Sequence, residues 1–311
     1  MSDVVLVTGA GGFAGSHLVE HLLASPKHRR GEGGSPSHRV VAWTRQTVDL
    51  LDRDRVRASI RELRPVQIYH CAGVPHVAES WRDTAQALEG NVLATEHLFL
   101  ALRNEGIPCR VLVPGSATVY APSSEPISET DPLAPSSPYA ISKLAQEQLA
   151  LRAIQEDGLD VVLTRSFNHT GPRQTPAFVA SSMARQIALI ERGQLEPVIK
   201  VGNLDAQRDV TDVRDVVRAY EALMGSGQTG TIYNVASGVG RSERSILDSL
   251  VSRAKVPVRV EVDQARMRPN DVPVVVGDFS RLNAATGWRP QVTFDQMLDD
   301  LLSYWRSQPR I

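Results

Sequence analysis

Short apolar runs alternate with longer stretches whose apolar positions recur at helical spacing. Val4 to Val7 is followed by Thr8-Gly9-Ala10-Gly11-Gly12-Phe13-Ala14-Gly15, and then by Leu18, Val19, Leu22 and Leu23. That order predicts strand, tight turn and helix. Further strands are predicted at Val40 to Trp43, near Asp49-Leu50, at Val66 to Cys71, at Arg110 to Pro114 and at Val161 to Arg165. Between them Leu88 to Leu102 and Tyr139 to Gln155 read as helices, and Ala121 to Pro138 as a loop rich in Pro and Ser. Buried strands alternating with helices predict an α/β fold with a doubly wound parallel sheet of Rossmann type. Beyond Phe167 the pattern loosens. Residues 168–173 read as a turn, Phe178 to Arg192 as a helix, and Arg208 to Val213 as the lead into a helix ending near Met224. Thr231 to Val235 is expected to return to the main sheet, and a last helix begins at Thr293.

A chain of 311 residues can bury a large core. Its 34 Lys plus Arg balance 35 Asp plus Glu, so the whole-chain charge gives no footprint for nucleic acid or an anionic membrane. No apolar run reaches the length of a membrane span, and the first strand, starting at about Asp3, leaves no room for a signal peptide. Cys71 and Cys109 fall at or beside buried strands, where a free thiol behaves as a small hydrophobe. A reduced, cytoplasmic protein is expected. The polar stretch 25–39 reads as a surface insertion with no assigned function.

The chemistry is concentrated at three places. Gly9, Gly12 and Gly15 let the turn close, a backbone approach a pyrophosphate, and the helix pack on its strand, so this turn is expected to hold a dinucleotide. The second strand ends in Thr44-Arg45, with no acid to accept hydrogen bonds from ribose hydroxyls. Arginine there suits a ribose 2′-phosphate and predicts NADP(H). Ala72 and Gly73 are small enough for a backbone to approach the same cofactor. Finally, Tyr139 and Lys143 stand four apart on a helix, where a cation beside the phenol is expected to lower its pKa. If Ser116 ends a neighbouring strand, its hydroxyl can meet the substrate oxygen that Tyr139 protonates. No metal site is expected.

With the glycine turn, Ser116 and Tyr139/Lys143 in chain order, the sequence resembles the extended short-chain dehydrogenase/reductases that act on nucleotide sugars. The resemblance implies a catalytic group of Ser116, Tyr139 and Lys143, with Lys143 also holding the nicotinamide ribose. It implies cofactor contacts from Gly9, Gly12, Phe13, Gly15, Arg45, Asp49, Leu50 and Ala72. It also implies an NADP-binding domain over about 1–167 with returning segments at about 210–255, and a smaller substrate lobe over 168–311. Ala117 and Thr118 stand where sugar-nucleotide dehydratases carry an acid and a base, so dehydration is not expected. Ser-Ala-Thr-Val-Tyr is similar to the matching run of UDP-galactose 4-epimerases. The run from Arg165 to Pro172, Arg208-Asp209, and Arg266 to Pro273 instead resemble the branch holding GDP-mannose dehydratases and GDP-6-deoxy-4-keto-mannose reductases. Carried over by position, Asn168 would meet the substrate near its diphosphate, Arg208 and Arg268 would neutralise phosphate, and Asp271 would accept from ribose or guanine. Arg173 is grouped with them. Val210 departs from the aromatic residue usual after Arg-Asp. The expected activity is reduction of the C4 ketone of a GDP-linked 4-keto-6-deoxyhexose by NADPH, giving GDP-rhamnose. A nucleotide-sugar 4-epimerase and a non-catalytic, cofactor-sensing regulator are the alternatives. A homodimer is expected through the helices at Leu88 to Leu102 and Tyr139 to Gln155.

Overall fold

The structure, a computed structural model, describes residues 3–25, 38–266 and 274–309. Strand β1 (Val4–Thr8) is buried along its whole length. It pairs in parallel with β2 (Arg39–Trp43) on one side and β3 (Gln67–His70) on the other. β4 (Arg110–Ser116) and β5 (Asp160–Ser166) continue the sheet. The order is β2-β1-β3-β4-β5, closed by a sixth strand, Ile232–Val235, which pairs in parallel with β5. The chain steps outward from β1 to β2 and then crosses back to β3. The carboxyl ends of β1 and β3 therefore form a topological switch point, where open α/β sheets bind ligands.

Both faces of this sheet are covered, which is why its strands read as near-continuous apolar runs. Alternate residues point to opposite faces. Val5, Val7, Tyr69, Leu112 and Val162 face α1 (Phe13–Ala24) and a helix at Val213–Ser226, meeting Leu18, Leu22, Val216, Tyr220 and Leu223. Leu6, Ile68, Val111 and Val161 face the other layer and pack with Val56, Ile60, Leu98, Phe99, Leu102 and Ala150. Those residues come from α2 (Arg53–Leu63), α5 (Ala94–Asn104) and α6 (Pro138–Asp157).

Two expectations need correction here. No strand forms near Asp49-Leu50, because Thr47 Oγ1 bonds both the amide and the carbonyl of Thr44 and closes a turn. Asp49 and Asp52 then cap the backbone amides of Leu51 and Arg55, so the chain passes directly into α2 and the third strand is Gln67–His70. The helix expected over Leu88 to Leu102 is also not regular. After the short helices α3 (Val77–Ser80) and α4 (Thr84–Leu88), a π-helical turn over Glu89–Leu93 precedes α5.

The segment after Phe167 is more than a turn. β6 (Asn168–Thr170) pairs in parallel with β8 (Gln207–Asp212), which is joined by β10 (Gly240–Ser242) and β12 (Val274–Val275). β7 (Val198–Val201) pairs with β11 (Arg259–Val262). A separate apolar cluster joins α7 (Val179–Glu191), α9 (Glu243–Ser252) and α11 (Phe294–Ser307) through Met183, Ile187, Leu250, Leu298 and Leu301. The helix at Val213–Ser226 is α8, the strand at Ile232–Val235 is β9, and α10 is Ser280–Thr286. Leu282 and Trp288 return to the core beneath the main sheet. Among the described residues no helix is long and apolar enough to cross a membrane.

Candidate active site

Strand β4 runs two residues further than the apolar pattern alone implies, its register with β5 holding from Arg110↔Asp160 to Ser116↔Ser166. This carries Ser116 to the carboxyl end of the sheet. Ser137 caps α6 by accepting from the Ala140 amide at 3.1 Å, and Pro138 takes the first helical position, where its missing amide costs nothing. Tyr139 therefore lies in the first turn and Lys143 one turn later on the same face. The Tyr139 backbone amide donates to Ser80 Oγ at 3.0 Å, and its phenol lies close enough to Ser116 for the serine hydroxyl to favour the phenolate. Ser116 Oγ also lies 3.0 Å from Thr118 Oγ1.

The ammonium of Lys143 is buried and turned toward the strand. It donates to Pro114 O at 2.6 Å and to Gln146 Oε1 at 2.5 Å. Burial pulls its pKa down from 10.5 to about 8. Burial also holds the Tyr139 phenol above the usual tyrosine value, and the Ser116 hydroxyl offsets only part of this. The expectation that Lys143 lowers the phenol is thus corrected. Helical spacing puts the two on one face, but the desolvation of a buried phenolate dominates.

At the end of β1, Gly9 has φ +66°, and a Cβ there would lie 2.5 Å from Ala72 N. A Cβ on Gly15 would lie 2.2 Å from Gly9 O. Only glycine lets α1 pack so closely on the turn, leaving its amino-terminal end open to an anion. The backbone cradle fits a dinucleotide pyrophosphate. Gly12 caps α1, and Phe13, its first residue, stacks on His169 at 5.8 Å. The end of β2 lies against the same turn, since Ala10 N donates to Trp43 O at 3.0 Å. Arg45 follows, exposed and 3.3 Å from Asp49. Leu50 is buried, and His97 Nδ1 donates to its carbonyl at 2.8 Å. Gly9, Gly12, Phe13, Gly15, Arg45 and Ala72 thus gather at the switch point.

The residues expected to hold substrate are less unified. Asn168 is exposed on β6, in register with Val210 on β8. Arg208 stands on β8 opposite Arg241 of β10. Arg173, at φ +73°, forms a two-pronged ion pair with Glu20 on α1, so its guanidinium is engaged away from these strands. Arg268 and Asp271 lie outside the described residues. Asp209, beside Arg208, is a structural knot. Its buried carboxylate accepts from Ser237 N and Oγ, Gly238 N and Gly277 N, and burial still raises its pKa against those donors.

Sequence reasoning missed several residues here. A cavity of about 220 Å³ is walled by Phe178, Gln186, Lys200, Asn203 and Glu243 among others, and the His76 ring lies 5.2 Å from that of Phe178. Asn91, in the π-helical turn, accepts from Val74 N at 2.8 Å and donates to Ser142 Oγ at 2.8 Å. Ser142 in turn donates to Tyr139 O at 2.8 Å. A π-helical turn beside a functional group was the one signal available, and it is a structural one.

The model of the GDP-mannose 4,6-dehydratase family matches residues 6–301. The GDP-6-deoxy-D-mannose reductase of Pseudomonas aeruginosa is 38% identical over 313 aligned residues, covering 100% of this chain and 99% of that protein. The structure of RMD from Pseudomonas aeruginosa complexed with NADPH is similar at a TM-score of 0.88 and 36% identity, covering 98% of this chain and 99% of that one. The Thermus thermophilus UDP-glucose 4-epimerase, in complex with NAD, matches at a TM-score of 0.82 and 30% identity, covering 98% and 99%. With a family model spanning nearly its whole length, a Ser116-Tyr139-Lys143 group and a glycine cradle at the switch point, the chain belongs to the GDP-mannose 4,6-dehydratase family.

Proposed function

We propose that this protein is an NADP-dependent oxidoreductase that reduces the C4 ketone of GDP-4-dehydro-6-deoxy-D-mannose to GDP-D-rhamnose. One observation carries the reading: Tyr139 at the start of α6 stands beside Ser116 at the carboxyl end of β4, and the residues after Ser116 are Ala117 and Thr118. NADPH, when bound, supplies the hydride. Tyr139 donates its phenolic proton to the C4 oxygen, and Ser116 fixes that oxygen in place. Lys143 keeps a positive charge near the oxygen as it gains electrons. Thr118, its hydroxyl engaged with Ser116, offers neither the acid nor the base that loss of water requires. Arg45 is assigned to the 2′-phosphate. Asn168, Arg208, Arg268 and Asp271 are assigned to the nucleotide sugar, with the cavity beside Phe178 large enough for part of it. On this reading the parallel-sheet half binds cofactor and most of the chain after residue 167 binds substrate.

The similarity to an epimerase complexed with NAD sustains a second reading, a 4-epimerase that retains and reuses its cofactor. A regulator without activity is disfavoured by the retention of both Tyr139 and Lys143. A homodimer is proposed through the outer faces of α4, the π-helical turn and α6, where Leu88, Leu93 and Ile141 are exposed. A cytoplasmic location is proposed from the two free cysteines.

The test is to supply substrates in turn. NADPH is expected to be oxidised with GDP-4-dehydro-6-deoxy-D-mannose and not with GDP-mannose alone. Interconversion of UDP-glucose and UDP-galactose without added cofactor, with no NADPH consumed on the keto sugar, would establish the epimerase instead.

A further inference from the structure

Lys143 sits at one end of a chain of hydrogen bonds that begins at the glycine cradle and is buried from Thr8 onward. Ala72 N donates to Thr8 Oγ1 at 3.3 Å, and Thr8 Oγ1 lies 2.8 Å from His70 Nδ1. His70 Nε2 is 2.9 Å from Thr95 Oγ1, and Gln146 Nε2 is 2.7 Å from the same oxygen. Gln146 Oε1 then accepts from Lys143. Thr8, His70, Thr95 and Gln146 are each at most 1% exposed, so water cannot substitute for any of these partners.

The direction of every bond follows from one fact. The Thr95 hydroxyl gives its single proton to Asn91 O at 2.7 Å, so its oxygen can only accept from the other two neighbours. His70 must therefore carry its proton on Nε2, leaving Nδ1 to accept from Thr8. Gln146 must present its NH₂ to Thr95, which leaves its carbonyl facing Lys143. Burial supports this arrangement by holding His70 neutral, its pKa lowered to about 3, with the Lys143 charge adding to the effect.

We propose that Gln146 is a positioning residue whose side-chain carbonyl, oriented by Thr95 and His70, holds the Lys143 ammonium against Pro114 O. Two groups converge on Nζ from different elements: the helix supplies Gln146 and β4 supplies the Pro114 carbonyl, with the Cys71 thiol and the neutral His70 near enough to feel the charge. Burial pushes Cys71 up to about 12, so it stays a thiol and cannot neutralise the ammonium. A carbonyl dipole supports a cation there without cancelling its charge, whereas a carboxylate would form a neutral pair. Because the chain starts at Thr8 and Ala72, beside Gly9, it also ties the lysine's position to the cofactor cradle.

The proposal rests on Lys143 being part of the active group, but its test needs no turnover. The chain contains four lysines, Lys27, Lys143, Lys200 and Lys255, so labelling lysine with ¹³C at the ε carbon gives few resonances, and Lys143→Met assigns the one of interest. Its titration midpoint is then followed in full-length protein without added ligand. Gln146→Glu is expected to move the midpoint up by about one pH unit or more, and Gln146→Leu to move it down, since a charge and a lost partner act in opposite senses. Thr95→Val, which frees the amide to turn, is expected to shift it in the same direction as Gln146→Leu. A midpoint unchanged in folded Gln146→Glu overturns the proposal, whether or not Gln146→Leu folds. Unchanged midpoints together with normal NADPH oxidation would sink this inference while leaving the proposed activity standing.

Discussion

Replacing Lys143 by Met removes a charge that the fold buries, and the consequence for stability has a definite sign. Burial lowers the lysine from 10.5 to about 8. At roughly 1.4 kcal/mol per unit, that is about 3 kcal/mol of differential cost for the charged form. Below about pH 8 both folded and unfolded chains hold the proton and the cost is fully present. Between about 8 and 10.5 the unfolded chain binds more protons than the folded one, so stability rises with pH. The difference in unfolding free energy between the parent and Lys143→Met should therefore move toward the parent by up to about 3 kcal/mol across this window. Met also leaves Pro114 O and Gln146 Oε1 without their donor, each worth roughly 1–3 kcal/mol. That loss is a constant offset, so the slope is the test and not the value at one pH. Urea unfolding followed by tryptophan fluorescence, at several pH values and one protein concentration, measures it. A difference that stays flat from pH 7.5 to 10 would refute the claim that the ammonium is held at a desolvation cost.

Three further outcomes follow from the site. Tyr139→Phe should reduce kcat by about 10²–10⁴-fold, the usual worth of a general acid, with NADPH affinity measured by fluorescence nearly unchanged; near-normal turnover would remove Tyr139 from its role. Arg45→Ala should weaken NADPH binding while leaving NADH binding largely intact, because Arg45 is exposed just after β2 and pairs with the exposed Asp49; equal losses for both would count against a 2′-phosphate contact. Leu93→Glu combined with Ile141→Glu places charge on two exposed apolar positions and should give a monomeric mass by light scattering, where a dimeric mass is expected for the parent; a parent that is already monomeric would refute the interface.

Local patterns carried most of the architecture. Val4 to Val7 before a glycine turn, and runs such as Arg110 to Pro114 and Val161 to Arg165, are strands because both faces of a parallel sheet are covered. What stayed hidden depends on residues far apart in sequence. Leu98 and Leu102, four apart, pack under the sheet, while Leu93, five residues before Leu98 and at the end of the π-helical turn, is exposed. Arg173, grouped with the substrate residues, also pairs with Glu20, a partner 153 residues away that the sequence pattern does not show. Gln146 follows Lys143 by three residues, a spacing that ordinary surface helices share. Its role becomes visible only when Thr95 and His70 meet it. Asp209 looks like half of a ligand-binding pair, whereas three backbone amides and a hydroxyl have enclosed it.

The proton state of Tyr139 bears on the part it can play. Here burial holds the phenol above its ordinary value, and the Ser116 hydroxyl does not offset it. The phenol therefore keeps its proton at neutral pH and can act as a donor. Meanwhile the lysine beside it, lowered to about 8, still carries its charge at neutral pH. A donor that keeps its proton and a cation that keeps its charge suit an oxygen that is gaining electrons from hydride. Both shifts arise from one cause, the burial of the start of α6 against the end of β4, and what sets reduction apart from dehydration here is that Ala117 and Thr118 follow Ser116.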